Sequence, residues 1–161
     1  MRKGAQQEAK LCFTGHLLTE NRNGLIVDAL LGEATGHAER EGALRLVERQ
    51  QLRPGTTLGA DKAYDTQAFV AELDSRGIVP HIARNTSRRR SAVPDAIAET
   101  PEYATSQRRR KLVEEPFGWL KTVGGSRKLR YLGVLRNQLW FLLGAAAYNL
   151  IRIARLTPQT A

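Results

Sequence analysis

The chain has 161 residues, 42% of them hydrophobic, with 25 Lys and Arg against 16 Asp and Glu and a formal net charge of +9. That length supports one modest core rather than two ordinary domains, and the hydrophobic share argues against disorder as a description of the whole. The basic balance points to a polyanionic partner, although solubility or nonspecific membrane attraction would use the same charge.

Cys12 is the only cysteine, which excludes an internal disulfide and a paired-cysteine zinc framework and fits an intracellular location. It falls in a predicted strand with no base partner in view, and reads as a buried thiol. The basic start (MRKG) is followed by no apolar run of signal length, so signal-directed export is not expected. The longest apolar block, residues 139–148, has ten residues, too few for one helix to cross a bilayer.

Residues 11–18 and 25–31 are apolar-rich, of strand length, and separated by a polar stretch ending in Asn23 and Gly24. They read as a hairpin, because Asn and Gly tolerate the positive backbone angle of a tight turn. Residues 39–50 carry Ala43, Leu44, Leu46 and Val47 at helix-compatible spacing, with Pro54 and Gly55 as the stop. Residues 56–60 begin as a strand and deliver Asp61 to its carboxyl end. Asp65 is then the expected cap of a helix containing Phe69, Val70 and Leu73, which Gly77 ends before a strand at residues 78–82. This alternation predicts an α/β sheet covered by helices.

Apolar periodicity weakens over residues 83–102, which include Arg88, Arg89 and Arg90, and the stretch reads as an exposed basic insertion. Helical character resumes near Ala104 and runs through Lys121, and Gly124 and Gly125 break it. A last helix over residues 137–153 is apolar almost all round, so it is either buried by the main body or joined to another subunit. Trp140, Phe141 and Tyr148 read as packing residues. A five-residue tail, 157–161, follows the domain assigned to residues 1–156.

Positive charge is concentrated. Residues 84–136 hold 13 basic and five acidic side chains, whereas residues 1–83 are close to neutral. A phosphate-facing surface is therefore sought in the second half, where counterion release would make binding salt-sensitive.

By spacing alone, Asp61 is an ordinary strand-end acid or a catalytic one, and Asp65 has the simpler role of a cap. At 100° per residue a continuous helix would place Arg110, Glu114 and Lys121 on one face, within about 40°. A solvated ladder of ion pairs explains the same geometry, and Pro116 disfavours a straight helix through this point; if it opens a new helical turn, the shared face is lost. Two carboxylates from separate elements offer hard oxygen ligands to Mg²⁺ or Mn²⁺, but two-metal phosphoryl chemistry normally needs more. Asp28 is a further acid without a unique assignment. His16, His37 and His81 are dispersed, without zinc spacing, and no glycine-rich nucleotide fingerprint is present.

Three ordered blocks, residues 22–28 (RNGLIVD), 59–65 (GADKAYD) and 113–121 (VEEPFGWLK), together resemble a bacterial insertion-sequence transposase. The resemblance is to the IS5-like branch of the broader IS4 group and covers nearly the whole chain. It implies an RNase H-like mixed sheet with flanking helices, incomplete at its N-terminal side. Asp61 then matches the second catalytic Asp and Glu114 the catalytic Glu, both as ligands of Mg²⁺ or Mn²⁺.

Arg110 and Lys121 match the basic positions of the family's terminal signature, which contact or orient DNA phosphates. Gln107 stands where that signature usually has Tyr, and Ala63 replaces a common Gly. No residue matches the first catalytic Asp, which in the family lies upstream of the segment matched by residues 3–10. The chain thus reads as a C-terminal portion expected to have little autonomous activity. Arg88, Arg89, Arg90, Arg108, Arg109, Lys111, Arg127, Lys128 and Arg130 complete the expected DNA-binding set.

The resemblance further implies transposon-end DNA as partner, an upstream transposase polypeptide or a second copy of the chain as protein partner, and no membrane. The implied place is the cytoplasm, on bacterial chromosomal or plasmid DNA. A noncatalytic DNA-binding or protein-interaction fragment is the alternative.

Overall fold

A computed structural model of the chain describes residues 12–34, 37–87 and 90–157. Among the described residues, two strand pairs and six α-helices give the mixed α/β class read from the sequence. The chain divides into two compact units, Met1–Leu46 with Val113–Ala161, and Val47–Leu112.

The first unit is built on a hairpin. β1 (Phe13–Thr19) pairs antiparallel with β2 (Ile26–Glu33). Gly24 takes φ +73°, as expected for the turn. The Glu20 carboxylate fixes the same turn by accepting the backbone N–H groups of Arg22, Asn23 and Leu25 at 2.7, 2.7 and 3.1 Å. The register shifts between Leu18 and Thr19, a bulge that leaves Val27 exposed. α1 (Ala38–Gln50) follows, its Leu46 and Val47 buried. It ends at Gln50, where the sequence placed its end, and Gln51 adopts φ +45°.

α6 (Val134–Leu156) lies on β2, and α5 (Glu114–Thr122) packs against α6. Ile26, Ala29, Leu120, Phe141, Ala145 and Tyr148 form the core between them. Full burial of the larger aliphatic and phenyl side chains, those of Ile26, Leu120 and Phe141, contributes on the order of 1.5–3 kcal/mol each. Gly15 makes room for the close approach of Phe141: a Cβ there would sit 2.9 Å from its ring.

Polar side chains of α6 finish the outer row of β2. Asn149 exchanges both amide bonds with the Ile26 backbone at 2.8 Å. Gln138 accepts from the Leu31 N–H at 2.5 Å and donates to the Ala29 carbonyl at 3.0 Å. These bonds use backbone groups that would otherwise be left at a sheet edge.

α6 is longer than its uninterrupted apolar block suggested. At 23 residues it is long and apolar enough by length and composition to cross a bilayer. Its buried side carries Phe141 and Tyr148 as expected, and Leu135, Leu139, Leu143 and Leu150 are exposed. Trp140 is half-buried, edge-on to Tyr131. Cys12 is half-buried rather than buried, since it precedes β1 instead of lying within it.

The second unit is a strand–helix–strand crossover, the connection that parallel strands require. β3 (Thr57–Ala60) and β4 (Val79–Ile82) pair in parallel, joined by α2 (Gln67–Asp74). Phe69, Leu73, Ile78 and Ile82 are almost fully buried. Gly77, at φ +68°, turns the chain from α2 toward β4. α3 (Asp95–Ala98) and α4 (Pro101–Arg109) pack on β4. Helix therefore resumes earlier than Ala104, because the Thr100 hydroxyl caps α4 by accepting from the Tyr103 N–H, and Pro101 suits a first turn.

Candidate active site and basic surface

Asp61 directly follows β3, at the strand end where the sequence placed it. Its carboxylate is exposed and forms an ion pair with the Arg110 guanidinium. Arg110 is fixed from behind: its Nε donates to the Gln107 side-chain oxygen at 3.0 Å, and Gln107 Nε2 donates to the His81 carbonyl at 2.7 Å. Gly59, opposite His81 in the parallel pair, lies beside Arg110: a Cβ there would meet Arg110 Cβ at 3.4 Å, an ordinary contact.

His81 is itself held. Its Nδ1 lies 2.7 Å from the Ser106 hydroxyl, and its ring meets Tyr103 edge-on. Burial pushes the His81 pKa below its ordinary value, against an opposing pull from Glu102. The Tyr103 hydroxyl donates to the Ile82 carbonyl at 2.8 Å, so α4 is bound to β4 through several side chains.

Asp65 does not cap α2. The cap is Thr66, whose hydroxyl accepts from the Phe69 N–H at 3.3 Å. Asp65 is instead fully buried, and its two carboxylate oxygens accept the backbone N–H groups of Asn85 and Ala92, each at 2.7 Å. A buried charge is tolerable when each oxygen has a donor. This acid thereby ties down both sides of the basic segment. Within the segment, Arg90 is exposed and lies 3.8 Å from Asp95, whereas Arg88 and Arg89 fall outside the described residues. The segment read as an exposed insertion also contains buried Ser91 and Val93 and all of α3.

The continuous helix through residue 121 is not formed. α4 ends at Arg109, a 3-10 turn spans Arg110–Val113, and α5 begins at Glu114. A 3-10 turn has three residues per turn, so the single face expected for Arg110, Glu114 and Lys121 loses its phase. Pro116 explains the restart: it sits in the first turn of α5, where its missing N–H leaves no hydrogen bond unmade.

Glu114 is exposed at the first position of α5. Its neighbour Glu115 accepts Arg152 Nη1 at 2.9 Å. Lys121 lies over the Phe117 ring at 5.8 Å. Asp61 belongs to the second unit and Glu114 to the first. Asp28 is buried, with Oδ1 accepting the Ala29 N–H at 2.7 Å.

The expected basic residues lie on several elements. Arg108 and Arg109 occupy the last turn of α4, and Arg108 contacts the Thr105 hydroxyl at 3.1 Å. Lys111, Arg127, Lys128 and Arg130 are exposed. Arg130 stacks at 4.5 Å on Trp140. Buried Asn137 holds this segment, accepting the Arg130 and Tyr131 N–H groups at 3.2 Å and donating to the Tyr131 and Gly133 carbonyls at 2.6 and 2.7 Å.

Sequence reading noted Gln107 only as a departure from the family's usual Tyr, without its link to Arg110, and missed Ser106 and Asn137. No three His, Cys, Asp or Glu side chains among the described residues gather as a metal cage. Asp61 has the hard oxygen that Mg²⁺ or Mn²⁺ prefers, but the described residues do not make a complete donor set around it.

A family model described as the transposase DDE domain matches residues 2–150. No curated protein and no solved structure matches the chain.

Proposed function

Because the chain belongs to the transposase DDE domain family, we propose that it is catalytic-domain material of a bacterial insertion-sequence transposase, of the IS5-like branch and with an RNase H-like fold. Its work is cleavage and joining of transposon-end DNA. The family generally uses divalent metal for that chemistry, which polarises phosphate and activates the attacking oxygen.

The observation that carries this reading is Asp61 at the end of parallel strand β3, facing a basic residue. Asp61 is the second acid and Glu114 the third. Arg110 and Lys121 are the positions of the terminal basic signature. Arg90, Arg108, Arg109, Lys111, Arg127, Lys128 and Arg130 bind the DNA backbone, together with Arg88 and Arg89. Asp28 is not assigned to the site, being buried and engaged with its own strand. With two matched acids the chain is expected to have little autonomous activity, and a further transposase polypeptide or a second copy of the chain is the protein partner in this reading. The exposed leucines of α6 support such a protein partner.

The deciding experiment joins the native upstream coding segment to this chain and measures nicking and strand transfer on terminal-repeat DNA with Mg²⁺ or Mn²⁺. Activity that appears with the added segment and is lost in Asp61→Asn and Glu114→Gln is expected. Equal activity in those variants would remove both acids from the mechanism. A second reading, noncatalytic DNA binding, is favoured by the exposed basic residues beside an incomplete donor set. Salt-sensitive binding without activity in the joined protein would select it.

A further inference from the structure

We propose that Gln107 is a positioning residue that fixes the Arg110 guanidinium over the Asp61 carboxylate, so that the chain carries its own cation where a divalent ion would approach. The inference rests on the reading of Asp61 as a functional acid. Its geometry lies wholly within the second unit.

An exposed ion pair contributes little when two long side chains must be ordered to form it. This pair differs because the ordering is already done. Gln107 is tied at one end to the His81 carbonyl at 2.7 Å and at the other to Arg110 Nε at 3.0 Å. The Arg110 side chain is only 22% exposed, whereas that of Asp61 is 71% exposed. The cation is therefore seated against the protein, and the carboxylate reaches out to it.

Gln107 supplies the acceptor for Nε while Nη1 remains directed at Asp61. A planar guanidinium held at one nitrogen has its remaining donors aimed, which a lysine would not achieve. A divalent ion entering at Asp61 must displace this cation or share the carboxylate with it. In either case the internal charge opposes binding. Breaking the Gln107 link frees Arg110 to swing away, so a neutral substitution at residue 107 should open Asp61.

The test uses the full chain labelled with ¹⁵N. Solvent exchange of the Arg110 Nε–H is followed by NMR, and free Mn²⁺ is measured by electron paramagnetic resonance during titration. Wild type should show a protected Arg110 Nε–H. Gln107→Leu should lose that protection and bind Mn²⁺ about tenfold more tightly. Adding Asp61→Asn to Gln107→Leu should cancel the gain. Gln107→Glu keeps the acceptor for Arg110 Nε but gives up the donor to the His81 carbonyl, so it should keep part of the protection, a partial rescue that a merely structural role would not give. Amide exchange across β3 and β4 reports whether each variant remains folded.

Unchanged Nε–H protection in folded Gln107→Leu would overturn the proposal. So would its loss in Gln107→Glu to the same degree as in Gln107→Leu. If protection is lost as expected but Mn²⁺ binding does not respond to Asp61→Asn, the positioning role stands and the assignment of Asp61 as a metal-binding acid falls.

Discussion

Asp65 and Ala92 are far apart in the chain, yet the buried Asp65 carboxylate accepts the Ala92 N–H at 2.7 Å while its other oxygen accepts Asn85. One side chain thus holds Asn85 and Ala92 together. Asp65→Ala would strand two backbone donors and is expected to destabilise the second unit by about 3 kcal/mol. Asp65→Asn retains one acceptor oxygen and should cost less. Equilibrium denaturation, with amide exchange at Asn85 and Ala92 as a local readout, checks both; equal stability of the Ala variant and wild type would refute the assignment.

His16 and His81 set a pH dependence. Both are buried and have pKa values pushed below the ordinary one by desolvation. The unfolded chain then takes up protons before the folded chain does, so stability present above pH 6.5 falls as the pH drops below it. Each histidine contributes a slope of at most about 1.4 kcal/mol per pH unit. Urea denaturation at pH 7.5 and 5.0 should show the loss, and His81→Gln should reduce it. A flat profile over this range would contradict the assigned burial effect.

The DNA-facing role proposed for α4 makes a separate prediction. Arg108→Ala with Arg109→Ala should weaken binding to duplex DNA of any sequence and lower the slope of log K against log salt by about 2. Fluorescence anisotropy between low and moderate salt measures both. An unaltered slope would take these two arginines off the phosphate backbone.

Asn137 is expected to organise the basic segment from beneath. Asn137→Leu keeps the branched shape but removes four hydrogen bonds at Arg130, Tyr131 and Gly133. A loss of about 2 kcal/mol and faster amide exchange at Arg130 and Tyr131 should follow. Exchange indistinguishable from wild type would show that the turn holds its shape without Asn137.

Much of the architecture could be read from local signals. Asn23 and Gly24 declared the hairpin, Gly77 the turn before β4, and the run into Asp61 the end of β3. Local reading failed where a distant partner decided. Asp65 has the chemistry of a helix cap, but burial and the amides of Asn85 and Ala92 claimed it, leaving the cap to Thr66. The break after Arg109 was announced by Pro116, although the 3-10 turn lies before the proline rather than at it. At the candidate site, Asp61 and Arg110 were legible as chemical types. Their link was not, because Gln107 works through a carbonyl 26 residues away in sequence, on β4.

The amides that Gln138 and Asn149 extend to β2 have a consequence for solubility. Ile26, Ala29 and Leu31 offer no vacant backbone groups at those bonds, so a stray extended peptide finds no template along that rim. A helix that docks this way is also a stopper against fibre growth, and Gln138→Leu with Asn149→Leu would remove the stopper while making the chain greasier.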